Sequence, residues 1–142
     1  MDNTDHSPEP PRNLLLHVQF DGTDFAGWQR QDGLQTVQGS LEEAVEAMVH
    51  HPVQARSTSR TDAGVHARAM PVQFETTRTI PPEGFRRGLN THLPPTISVL
   101  SVEEKPTGWS CRHEAVAKTY VYRIQFGGSR RPLDARQRWF VG

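Results

Sequence analysis

Cysteine is nearly absent from this 142-residue chain. Cys111 stands alone, so no intrachain disulfide can form, and a reducing compartment fits. Long apolar runs are missing too. No stretch is apolar enough to span a bilayer, and the first residues lack the apolar core of a signal peptide. A cytoplasmic protein with no membrane partner is expected. Metal-ligand pairs are also scarce. Cys111-Arg112-His113 and His50-His51 are the close groupings, and neither has the second half that a zinc site requires, so no metal is expected. Basic residues are sparse at first. Residues 1–51 hold two Lys and Arg against nine Asp and Glu, whereas residues 52–142 hold fourteen against seven. The net charge of zero therefore hides a basic second part, and twelve of its fourteen cations are Arg. Guanidinium forks suit phosphate, since each bonds two oxygens at once. A solvated, salt-laced surface is the other reading.

What is present is one domain, or half of a larger enzyme, with eleven prolines and eleven glycines marking many turns. Residues 1–12 are polar, with prolines at 8, 10 and 11, and read as a disordered tail before a domain over 13–142. Leu16, Val18 and Phe20 alternate, which predicts a strand with one buried face. Thr36 is placed to cap a helix whose apolar stripe is Val37, Leu41, Ala44, Val45, Met48 and Val49, with Glu42, Glu43 and Glu46 in solvent and Pro52 as the stop. Val53–Ser59 and Ala69–Thr76 read as strands. Pro81-Pro82 opens a short helix with Phe85 and Leu89 inward, and a fourth strand begins at Ile97. The order strand, helix, strand, strand, helix, strand predicts an α+β, ferredoxin-like antiparallel sheet with both helices on one face. The other face would be free, as in RNA-recognition modules. Ala117–Phe126 then alternates strictly and reads as a further strand, with Tyr120, Tyr122, Ile124 and Phe126 on one face. Trp139-Phe140-Val141 begins another element, and more chain is expected beyond Gly142.

Three stretches carry possible chemistry. Arg60-Thr61-Asp62-Ala63-Gly64-Val65-His66 sets a carboxylate on a turn between two strands, two residues after a guanidinium. Asp-Ala-Gly is also an ordinary turn, with Asp bonding its own backbone and Gly taking positive φ. Phe25-Ala26-Gly27-Trp28-Gln29-Arg30-Gln31 is a loop. Trp28 would anchor it in the core, and Gln29, Arg30 and Gln31 offer donors to nucleic acid. Tyr120 is either a core tyrosine or a stacking surface for a base.

These motifs occur in the order of one family. Phe20-Asp21-Gly22-Thr23, Gly27-Trp28-Gln29-Arg30-Gln31, Thr36-Val37-Gln38-Gly39, Arg60-Thr61-Asp62-Ala63-Gly64-Val65-His66-Ala67 and Lys118-Thr119-Tyr120 together resemble the N-terminal half of the tRNA pseudouridine synthase A family. The resemblance covers residues 14–142. It implies an isomerase that makes pseudouridine in the anticodon arm of tRNA, at nucleotides 38 to 40, without a cofactor and as a homodimer. It implies that the chain stops before a second half that completes the active cleft. Carried residue by residue, the catalytic aspartate matches Asp62, its arginine Arg60 and the active-site tyrosine Tyr120. That chemistry needs an ionised carboxylate shielded from water, with Arg60 offsetting the cost of burial. Gln29, Arg30, Arg68, Arg112 and Lys118 are the candidate tRNA contacts, mainly to backbone phosphate. A non-catalytic RNA-binding fragment is the alternative. The chain departs from the family pattern at Phe20, Thr58-Ser59, Met70 and Trp109–His113, where only Arg112 of the usual segment is kept.

Overall fold

In the computed structural model, described over residues 10–142, β1 (Arg12–Phe20) is the centre of a four-stranded sheet. It pairs antiparallel with β3 (Ala67–Thr76) on one side and with β4 (Ile97–Lys105) on the other. A two-residue β2 (Arg56–Ser57) adds to the far edge of β3. The helices α1 (Val37–Val49) and α2 (Pro82–His92) fill the crossovers. The strand order β2-β3-β1-β4 is the ferredoxin-like arrangement that the element order predicts. Residues 1–9 of the expected tail lie outside the described residues, and Arg12 already opens β1.

The core forms on one face. Leu14, Leu16, Val18 and Phe20 of β1, with Met70, Val72 and Phe74 of β3 and Ile97 and Val99 of β4, pack under Val37, Leu41, Val45 and Val49 of α1 and Phe85 and Leu89 of α2. Phe74 and Phe85 meet edge to face, with centroids 5.4 Å apart. Burying each such side chain contributes about 1.5–3 kcal/mol. Thr36 caps α1 by accepting from the Gly39 N–H at 3.2 Å. The helix ends at Val49 on His50, which takes φ +59°, two residues ahead of Pro52.

The strand expected over Val53–Ser59 shrinks to two residues, for reasons at both its ends. Upstream, α1 takes the backbone: Val53 N donates to Glu46 Oε1, Ala55 N donates to Glu42 Oε2, and Ala55 O accepts from Gln38. Downstream the ladder meets Pro71. Its carbonyl accepts from Thr58 N, which faces it toward β2, so its missing N–H falls on the same side. Glu42 is consequently not solvated, as its helix position suggested, but buried, at 4% exposure.

The opposite face is only partly free. Residues 106–114, ending in α3 (Cys111–Glu114), cross one end of it. Asn13 and Gln73, both buried, donate to the Trp109 carbonyl at 2.7 Å each, and the Cys111 N–H donates to Gln73 at 2.9 Å. The uncovered row of His17, Pro71 and Ser101 carries no Phe, Tyr or Trp on which a base would stack. Beyond α3, the strand expected over Ala117–Phe126 is realised only as β5 (Ile124–Phe126), paired in parallel with β6 (Trp139–Val141). Residues 115–123 have no regular structure, and among the described residues the segment's one backbone bond to a strand is at its end, where Arg123 O accepts from Trp139 N at 2.8 Å. No helix among the described residues is long and apolar enough to cross a membrane.

Candidate active site at the Asp62 turn

The Asp62 turn connects β2 to β3, and its shape is imposed by the Trp28 loop beneath it. Phe25 and Trp28 are buried and pin that loop to the core. From there the two loops bond backbone to backbone. Trp28 N donates to Thr61 O at 3.1 Å and Gly64 N to Phe25 O at 3.4 Å, while Val65 N closes the turn on Asp62 O at 3.2 Å.

Two glycines make this approach possible. A Cβ on Gly27, which has φ +91°, would lie 2.8 Å from Thr61 O, and one on Gly22 would lie 2.0 Å from Val65 O. Both fall below any ordinary contact, so only glycine admits the Asp62 loop here. The Trp28 loop also caps α1. Val37 N donates to Gly27 O and Gln38 N to Trp28 O. With Thr36 satisfying Gly39, the amides of the first helical turn are spent within the fold.

Asp62 and Arg60 are both exposed, and no hydrogen bond or ion pair joins them among the described residues. The described residues therefore leave the Asp62 carboxylate open, with Arg60 not bonded to it. Tyr120, 57% exposed, and Lys118 lie on the irregular 115–123 segment, and neither bonds to Asp62 or Arg60. Arg68 is exposed on β3 and Arg112 on α3.

Gln29 and Arg30 follow Trp28 directly and are exposed, close along the chain to the groups that grip Thr61. Arg30 is not unattached. Its backbone N–H donates to Gln38, and its guanidinium donates to Glu42 at 3.0 Å. That hydrogen bond, then the Glu42 charge, raises the Arg30 pKa above its already high value.

A fourth segment reaches the turn from the C-terminal side. His66 bonds the carbonyl of Arg136, and the Arg136 guanidinium lies 3.7 Å from Asp21 and 3.9 Å from Asp24. The Thr23 hydroxyl, donating to Asp21 at 2.5 Å, does most to hold that carboxyl below the usual range.

Residues 16–114, from within β1 to the end of α3, match the model of the tRNA pseudouridine synthase family. The chain belongs to that family. Against the tRNA pseudouridine synthase A of Geobacter sulfurreducens it is 43% identical over 130 residues, 92% of this chain and 53% of the relative. The tRNA pseudouridine synthase A 2 of Clostridium tetani is 44% identical over 115 residues, 80% and 46% of the two chains. The tRNA pseudouridine synthase A of Solibacter usitatus is 46% identical over 113 residues, 80% and 47%. The chain spans about half the length of the curated relatives it matches. The matched stretch of the synthase family contains both interlocked loops and ends before Tyr120.

Sequence reading missed Gly22, Gly27, His66, Gln38 and Glu42 as parts of this construction. The glycines had a visible signal, since Gly27 sits inside the aromatic loop motif and Gly22 in the Phe20-Asp21-Gly22-Thr23 motif just before it. Glu42 had none, because its position on the helix reads as solvent-facing until the chain from Pro52 to Ala55 is laid across it.

Proposed function

We propose that the protein isomerises uridine to pseudouridine in tRNA, with Asp62 as the catalytic carboxylate. The observation that carries this reading is the bracing of the Arg60–His66 motif, backbone to backbone, on the Trp28 loop within the stretch that matches the family. A carboxylate on a loop held this way is aimed by the scaffold, which is what positioning a nucleophile requires.

The reaction breaks the bond from C1′ to N1 of the base and forms one from C1′ to C5. The C5 hydrogen is lost and N1 gains a proton, so the product is an isomer. The base must leave the stack, detach and turn within a pocket. In this reading Asp62 attacks, or removes a sugar proton to help the base depart. Arg60 steadies its charge, and Tyr120 stacks on the uracil and relays the C5 proton. Gln29, Arg68, Arg112 and Lys118 meet tRNA, chiefly its phosphates, and Arg30 does so with the side of its guanidinium not held by Glu42, since its side chain is 55% exposed. Targets at nucleotides 38 to 40, a homodimer and a second half closing over Asp62 belong to the same proposal and rest on the family resemblance.

The test uses protein made from the full coding sequence and tRNA labelled with tritium at uridine C5. Asp62→Ala is expected to abolish tritium release while tRNA binding stays near wild type, because affinity rests on phosphate contacts. Retained release would overturn the assignment. Tyr120→Phe is expected to slow turnover more than it weakens binding. The exposure of Asp62 favours one second reading, an RNA-binding chain without turnover of its own. That reading holds if the 142 residues alone bind tRNA and release no tritium.

A further inference from the structure

The geometry points to His66 as a positioning residue that sets the Asp62 turn through its neutral imidazole, an inference that rests on Asp62 being the catalytic carboxylate. His66 Nδ1 lies 2.9 Å from the Gly22 backbone N–H, which can only donate, so Nδ1 is the acceptor. Nε2 faces the Arg136 carbonyl, which can only accept, so Nε2 carries the proton. Asp21 Oδ1 also stands 3.3 Å from Nδ1, but a nitrogen accepting from Gly22 has no proton to give it. The shorter, directed amide bond decides the tautomer.

One ring therefore ties three segments together: the turn after β1, the Asp62 loop, and residues 131–138. The tie sits where tolerance is least. Val65 O already occupies the space that a Cβ on Gly22 would need, and Val65 N closes the turn on Asp62 O. If Gly22 moves relative to His66, Val65 must follow, and Asp62 with it. None of these links is a contact of His66 with the reacting atoms, so its effect runs through the placement of Asp62.

The experiment compares Asp62→Ala, His66→Ala, His66→Asn and His66→Gln in protein made from the full coding sequence, reading tritium release and thermal melting. The Asn carbonyl reproduces the acceptor at Nδ1. The Gln amide reaches Arg136 but offers nothing at Nδ1. His66→Ala is expected to lower kcat about 100-fold, the scale of an ångström of misplacement, with KM for tRNA changed by less than about threefold. His66→Asn should regain about tenfold of that loss, and His66→Gln should regain less. Wild-type kcat in His66→Ala overturns the inference. So does an equal loss in Ala and Asn, or a loss confined to KM. If His66→Ala melts early, the comparison of Asn with Gln still decides. Turnover by Asp62→Ala would overturn the assignment of Asp62 instead, which keeps the two failures apart.

Discussion

At the scale of single residues, the smallest side chains do the most to shape the site. Gly27 is needed twice over, for its φ of +91° and for the contact its missing Cβ permits with Thr61 O. Gly27→Ala should therefore cost about 1–3 kcal/mol in stability, as a strained left-handed backbone does, measured as a lowered denaturant midpoint. Its activity should fall further than that loss explains, because the displaced atoms belong to Thr61 and Asp62. Gly33 takes a similar φ, +75°, with open space where its Cβ would be, so Gly33→Ala should meet the strain alone and leave turnover of the folded protein unchanged.

At the scale of elements, α1 works as a bracket between the two halves of the site. Its first-turn amides hold Gly27 and Trp28, and its side chains Gln38, Glu42 and Glu46 hold the backbone from Val53 to Ala55. Glu42 joins both ends, accepting from Arg30 and from Ala55 N–H. Glu42→Ala strands a buried N–H, with an expected cost of about 1–3 kcal/mol, read from equilibrium unfolding. Glu43→Ala, one position along on the exposed side, should change stability by less than about 0.5 kcal/mol. The same bracket explains the shortness of β2. Val53–Ser59 has the composition of a strand, but α1 already holds the backbone groups of Val53 and Ala55, and Pro71 lies at the other end.

At the scale of the whole molecule, the described residues divide by packing. The sheet, α1 and α2 share one core, whereas Val116, Tyr122, Phe126, Leu133 and Trp139 all stay exposed. Hydrogen exchange should reflect this division. Amides of β1, β3 and β4 should exchange only on global opening, and those of residues 115–123 should exchange at nearly free rates in the 142-residue chain. Protection across 115–123 in that chain would contradict the packing described above. The acidic and basic parts meet at the site, where Arg136 approaches Asp21 and Asp24 across the loop that carries His66.

What the amino-acid sequence determined by itself was local in kind. Thr36 names the start of α1, the alternation of Leu16, Val18 and Phe20 names the buried face of β1, and the element order implies the strand order, because caps, periodicity and crossover rules act within short stretches of chain. The motif around Asp62 was legible too, together with the family it resembles. The tertiary structure decided what depends on partners distant in the chain. It buried Glu42, cut β2 to two residues, left Tyr120 and its neighbours without a ladder, and gave His66 its tautomer. For Asp62, the turn could be read from Ala63 and Gly64. Its setting was decided by Gly22 and Gly27, some forty residues upstream, because a backbone can approach another this closely only where no Cβ stands between them.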